Sequence, residues 1–199
     1  MCAPADAETP HGGPLGSGSR YAAWARREYG ARRRVGVTLL AGPVFLIALP
    51  LLVAGLGPRL DRRLGLPSGG GSAGRLVGGA LLALGFAIGF WSIVTQLGRG
   101  RGTPLPVMPT QELLTRGPFR HCRNPMTLGT IVAYLGIGIG VGSTAGTLLV
   151  LGLGASLIAY LKRFEEAELA ERFGDAYLAY KREVPFMIPR LRQSRSSLR

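Results

Sequence analysis

Uncharged apolar runs organise this chain. Val35 to Gly57 is 23 residues without a charged side chain, and Leu76 to Gly98 is another 23. As a helix rising 1.5 Å per residue, each is roughly 34 Å long, enough to cross a bilayer. Met126 to Leu161 is a third run, of 36 uncharged residues. As one helix it would be about 54 Å long, well beyond a hydrocarbon core of about 30 Å. The pattern therefore predicts a tight hairpin of two short helices, turning at Gly140–Gly146 where Gly and Ser cluster. Pro43 and Pro50 are expected to kink the first span. The predicted fold is all-α and integral to the membrane, with four transmembrane helices.

The polar stretches divide the rest. Residues 1–19 are rich in Pro, Gly, Ser and Ala and read as a disordered tail. The first apolar run begins only at Val35, so a cleaved secretory leader is not expected. Residues 20–34 carry Arg20, Arg26, Arg27, Arg32, Arg33 and Arg34 against Glu28, with Tyr21, Trp24 and Tyr29 between them. They read as a basic interfacial segment. Residues 35–190 form the membrane domain, and 191–199 a basic tail. Within the domain, 58–75 is expected to be a loop and 99–125 a polar loop. Beyond Leu161 come polar helices broken at Gly174. Phe173, Tyr177, Tyr180 and Val184 share one helix face, expected to pack on the membrane surface or on the central loop.

Charge gives an orientation. Net charge is +13, with 24 basic residues against 11 acidic. With four spans, twenty of the basic residues fall on the side of the termini and the 99–125 loop, and four fall in 58–75. The positive-inside rule then puts both termini and the central loop in the cytoplasm. Flanking apolar runs, these arginines point to anionic headgroups as partners and away from nucleic acid. Cys2 and Cys122 make no disulfide framework, and with His11 and His121 they give no metal-ligand spacing. Gly140, Gly142 and Ala145 loosely fit a dinucleotide-binding pattern, but no strand precedes them, so close helix packing explains them better.

The candidate chemistry lies at Gly117-Pro118-Phe119-Arg120-His121-Cys122-Arg123-Asn124-Pro125-Met126-Thr127, polar residues that lead straight into apolar sequence. A tight hairpin brings its two ends together, and so sets Asn124-Pro125 near Glu165-Glu166. Carboxylates at a membrane edge need a cationic partner or ligand. Solvated pairing with Lys162 and Arg163 is the plain structural alternative.

Several blocks occur in order: Gly100-Arg101-Gly102-Thr103-Pro104-Leu105-Pro106, Leu113-Leu114-Thr115-Arg116-Gly117-Pro118-Phe119-Arg120, Arg123-Asn124-Pro125-Met126-Thr127-Leu128-Gly129, Glu165-Glu166 and Phe173-Gly174, ending in Val184-Pro185 and Ile188-Pro189. Together they resemble the isoprenylcysteine carboxyl methyltransferase and phospholipid methyltransferase superfamily of membrane enzymes. The resemblance covers about residues 76–190. It implies S-adenosyl-L-methionine as methyl donor on the cytoplasmic side, and a lipid-like or prenylated acceptor reached from the bilayer. A phospholipid amine is the alternative acceptor.

The resemblance implies cofactor contacts at Gln111, Glu112, Leu113, Leu114, Phe119, Asn124, Pro125, Met126 and Thr127, and at Glu165 supported by Glu166. Glu165 would pair with the cofactor's ammonium, and Arg120 or Arg123 with a carboxylate. Thr127 and Phe119 stand where the family commonly has Tyr, and Leu161 where it has Arg. A nicotinamide-dependent membrane reductase and a non-catalytic protein on the same scaffold are the rival readings.

Overall fold

The computed structural model describes residues 42–99 and 112–189, together with Arg32, Gly36, Leu39 and Leu40, which are helical. The expected tails at 1–19 and 191–199, most of the 20–34 segment, and Gln111 lie outside the described residues. Helix α1 (Leu49–Leu64) is preceded by a π-turn at Val44–Ala48, and α2 runs over Gly71–Arg99. A 3₁₀ turn at Gly117–Arg120 leads to α3 (Pro125–Gly140) and α4 (Thr144–Tyr160). A second π-turn at Leu161–Glu165 joins α4 to α5 (Glu166–Glu183). No strand is formed among the described residues; an isolated bridge joins Ser68 and Ser143.

Val44–Leu64, Gly71–Gly98 and Thr144–Glu183 are long and apolar enough to cross a membrane, and Pro125–Gly140 is a shorter apolar helix. The apolar part of Thr144–Glu183 ends at Leu161, because charged side chains begin at Lys162. The expected loop at 58–75 shrinks to six residues, 65–70. Helix α1 continues through Arg59, Asp61, Arg62 and Arg63 and ends at Gly65, whose φ of 62° closes the helix. A charged stretch ends the apolar run there but not the helix, since Arg and Leu are both good helix formers.

The hairpin turns at Val141–Ser143, inside the expected stretch. Ser143 caps α4 by accepting from Gly146 N–H (2.9 Å). Asp61 adds a second cap from α1, accepting from Ala145 N–H at 2.7 Å.

Small residues fill the interior and large ones face out. Leu40, Leu51, Phe86, Phe90 and Leu153 are all exposed, as lipid-facing side chains would be. Helices α2 and α3 meet backbone to backbone along Gly78 and Gly85 on one side and Gly129 and Gly136 on the other. A Cβ on Gly85 would sit 2.3 Å from Ala133 N, and one on Gly136 would sit 2.5 Å from Leu82 N. The pairs are seven residues apart on each helix, so they recur on one face every two turns.

A π-turn lies between the two prolines. There the Leu49 N–H bonds to Val44 O, one residue further than in an α-helix. The same register would pair Phe45 O with residue 50, but Pro50 has no N–H. Tyr134 of α3 supplies the missing donor through its hydroxyl. Tyr134→Phe is therefore expected to lose about 1 kcal/mol, read from detergent-denaturation midpoints, without loss of helix content.

Candidate functional site

The hairpin returns the chain to the end from which it left, so the entry to α3 and the exit from α4 are neighbours. Arg123 N–H donates to Pro185 O (2.9 Å) and Asn124 N–H to Phe186 O (3.2 Å). The segment before α3 is thereby joined to the segment that follows α5. Tyr180 Oη donates to Phe119 O at 2.6 Å. Tyr177, Tyr180 and Val184 form a buried cluster with Leu113, Leu169, Ala170 and Phe173 packed on it. Of the two surfaces expected for the aromatic face, the central loop is the one it covers. Gly174, at φ 53° and ψ −132°, breaks α5 between Phe173 and Tyr177, where the sequence predicts a break.

Arg123 is the hub. Its Nη1 donates to Glu166 Oε1, and to Tyr177 Oη at 3.3 Å. Its guanidinium lies 5.5 Å from the centroid of the Phe186 ring, and Lys162 Nζ lies 5.0 Å from the same centroid. Lys181 Nζ closes the set on Glu166 Oε2 at 2.7 Å. The side chains of Arg123 and Glu166 are each only 10% exposed. The sequence-local pairing of Glu166 with Lys162 and Arg163 is not what forms. The widened π-turn spoils the i, i+4 stacking that such a pair needs, and Lys162 lies against Phe186 instead.

Glu165 is left differently. It is half-buried and has no hydrogen bond or ion pair among the described residues. It lies past Lys162, beyond the apolar span. Burial pushes its carboxyl up to about 7, with Glu168 and Glu166 adding repulsion. A raised carboxyl is easier to ionise in the unfolded chain. The folded state therefore loses stability as pH climbs from the ordinary Glu range to about 7, and the loss is complete above that. Glu165→Gln is expected to raise the thermal midpoint above pH 7 and to change nothing near pH 4, measured as the difference from wild type across pH.

The other expected contacts are distributed along the same wall. Leu113 packs on the aromatic cluster, Leu114 and Phe119 are half-buried, and Glu112 and Arg120 are exposed. Asn124 precedes α3 as its N-cap without a side-chain capping bond, and buried Pro125 takes the first position. Met126 and Thr127 follow in the first turn, half-buried. The structure thus gathers Arg123, Asn124 and Glu166 directly, and Phe119 through Tyr180. Sequence reasoning missed the parts played by Tyr177, Lys181 and Phe186. The aromatic periodicity pointed to the first, while nothing local marks the other two. Cys122 is buried, which pushes its thiol up to about 11 and keeps it protonated and inert.

Chemically, the cluster has one neutralised carboxylate, Glu166, and one desolvated carboxylate without a partner among the described residues, Glu165. Arg123 Nε is also buried without a partner among those residues. Such a set suits a ligand carrying both an ammonium and a carboxylate.

Residues 74–176 match the profile of a family described as Phospholipid methyltransferase. Over 73 residues the chain is 34% identical to a curated protein named Methanethiol S-methyltransferase 2, from Bradyrhizobium diazoefficiens. That match covers 37% of this chain and 27% of the relative, so the chain spans about a quarter of the relative's length. No solved structure matches the chain.

Proposed function

Because the chain belongs to the phospholipid methyltransferase family, we propose that it carries out S-adenosyl-L-methionine-dependent methyl transfer to a lipid-like or prenylated acceptor at the cytoplasmic face of a membrane. The observation that carries this reading is the joining of two polar segments at one end of the α3–α4 hairpin. The Arg123–Glu166 pair and the Asn124–Phe186 hydrogen bond tie them, with Glu165 left unpaired among the described residues. The arrangement fits four spans, with Pro125–Gly140 as the short one, both termini cytoplasmic, and 35–190 as the working domain. Twenty of the chain's basic residues then share the cytoplasmic side.

When bound, the cofactor supplies a methyl group activated on its sulfonium. The chain's residues bind and orient. We assign the cofactor's ammonium to Glu165, whose ionisation a cation would restore. Backbone and side chains of Glu112 to Leu114, Phe119 and Asn124 to Thr127 form the surrounding wall, with Glu166 as support, and Gln111, outside the described residues, is assigned to the same contact set. Glu166 holds the Arg123 guanidinium in place, and Arg123 offers its Nε–H, unpartnered among the described residues, to the cofactor's carboxylate. Arg120, exposed at the end of the 3₁₀ turn, contacts an anionic part of the acceptor. An in-line displacement on an ionised nucleophile needs little proton transfer, so positioning and electrostatics suffice. A thiol acceptor is the second reading, favoured by the printed name of the relative from Bradyrhizobium.

Binding of S-adenosyl-L-methionine to the detergent-purified chain tests the proposal. Saturable binding is expected, weakened at least tenfold by Glu165→Ala through loss of a charge-assisted contact worth about 1.5–3 kcal/mol. Unchanged affinity in Glu165→Ala would remove Glu165 from the site. No binding by folded wild type would sink the cofactor assignment. Transfer of a labelled methyl group to a prenylated cysteine, a phospholipid amine and a thiol then ranks the acceptors.

A further inference from the structure

The opposite end of the bundle carries a second charged constellation. Loop 65–70 docks there on the α3–α4 turn, with Gly69 N–H donating to Gly142 O at 2.9 Å. Arg59, Arg62 and Arg63 near the end of α1, and Arg75 in the first turns of α2, are all exposed. Between Glu28 and Glu112 the sequence has one acidic residue, Asp61. It is 1% exposed and turned inward, onto the Ala145 N–H. Arg59 Nη1 donates back to Gly55 O at 2.9 Å, so three guanidiniums, of Arg62, Arg63 and Arg75, are presented with no ion pair among the described residues. At the same end of the bundle a groove of about 370 Å³ opens between the loop and the turn, lined by Ser68, Gly70, Gly74, Ser143 and Thr144. Arg75 directly follows the Gly74 that lines it.

On a soluble surface three such side chains would need only water. Here they sit at the ends of helices long and apolar enough to cross a membrane, and the ends of such spans meet headgroup phosphates. We propose that this end of the molecule binds the phosphate of an anionic phospholipid, with Arg62, Arg63 and Arg75 as the cationic contacts and the groove receiving the headgroup. The site is independent of methyl transfer, since it lies at the far ends of α3 and α4 from Arg123 and Glu166.

The test follows thermal unfolding of the full chain in phosphatidylcholine nanodiscs with and without phosphatidylglycerol. The expected result is a rise in midpoint with phosphatidylglycerol for wild type and for the tail variant R192Q/R195Q/R199Q, and a clearly smaller rise for R62Q/R63Q/R75Q. Affinity for short-chain phosphatidylglycerol in detergent should fall on the order of a hundredfold in R62Q/R63Q/R75Q, from about 1 kcal/mol per arginine. R62K/R63K/R75K keeps the charge and should retain most of the binding, which separates charge loss from misfolding. Equal lipid responses in wild type and R62Q/R63Q/R75Q would overturn the proposal. So would an equal rise with inorganic phosphate alone, which would make the ligand a free anion.

Discussion

Gly85→Leu is expected to give a chain that no longer yields folded protein at the wild-type level, with a thermal midpoint depressed by a loss of about 3 kcal/mol or more. A Cβ there would lie 2.3 Å from Ala133 N and 2.4 Å from Gly129 O, and both are backbone atoms that cannot rotate away. The helices would have to separate, and dispersion along the whole α2–α3 seam would weaken with them. Gly79 is the internal control. It sits on the same helix with nothing within 4 Å of its added Cβ, so Gly79→Leu should leave the midpoint near wild type. Circular dichroism melts of the two variants in one detergent decide the matter. Equal melts would mean that the helices are not in backbone contact.

Arg123→Ala carries the second large effect. It removes one partner of a mostly buried pair and the contacts to Tyr177 and Phe186, leaving Glu166 with Lys181 alone. Breaking such a pair from one side costs about 3–5 kcal/mol, because the surviving charge remains desolvated. Arg123→Lys should recover only part of this, since an ammonium cannot reproduce the planar contacts with Glu166, Tyr177 and Phe186 together. The contrast with Glu165→Ala is diagnostic. That variant should melt at or above the wild-type midpoint and yet bind S-adenosyl-L-methionine more weakly. An Arg123→Ala chain as stable as wild type would show that the two polar segments are held by something other than this hub.

Much of the architecture could be read from the chain because a membrane imposes lengths. A 36-residue uncharged run cannot be one span, so the hairpin and its Gly-Ser turn follow from arithmetic. The break at Gly174 was legible for a local reason, glycine in a strongly helix-forming stretch. The continuation of α1 through Arg59 to Arg63 was not. Composition reports where the apolar run stops, whereas the stop of the helix is set by Gly65, whose left-handed φ ends the helical run. The site divides in the same way. Proximity of Asn124 and Glu166 followed from the hairpin, but the partner of Glu166 did not. Sequence neighbours suggested Lys162 and Arg163, while Arg123 and Lys181 reach it through tertiary packing that no local spacing encodes.

The bond from Tyr180 to Phe119 spans 61 residues, and that separation is also an interval of time. At ribosomal rates of about 5–20 residues per second, the entry segment is made roughly 3–12 s before the residues that complete it. Arg123 waits 43 residues for Glu166 and longer for the Pro185 carbonyl, and the Phe119 carbonyl lacks its phenol until Tyr180 is made. A nascent chain halted after α4 would hold its apolar helices and no assembled cluster. The last residues of α5 and the segment behind it therefore act as the step that completes the cluster, after the apolar helices have been made.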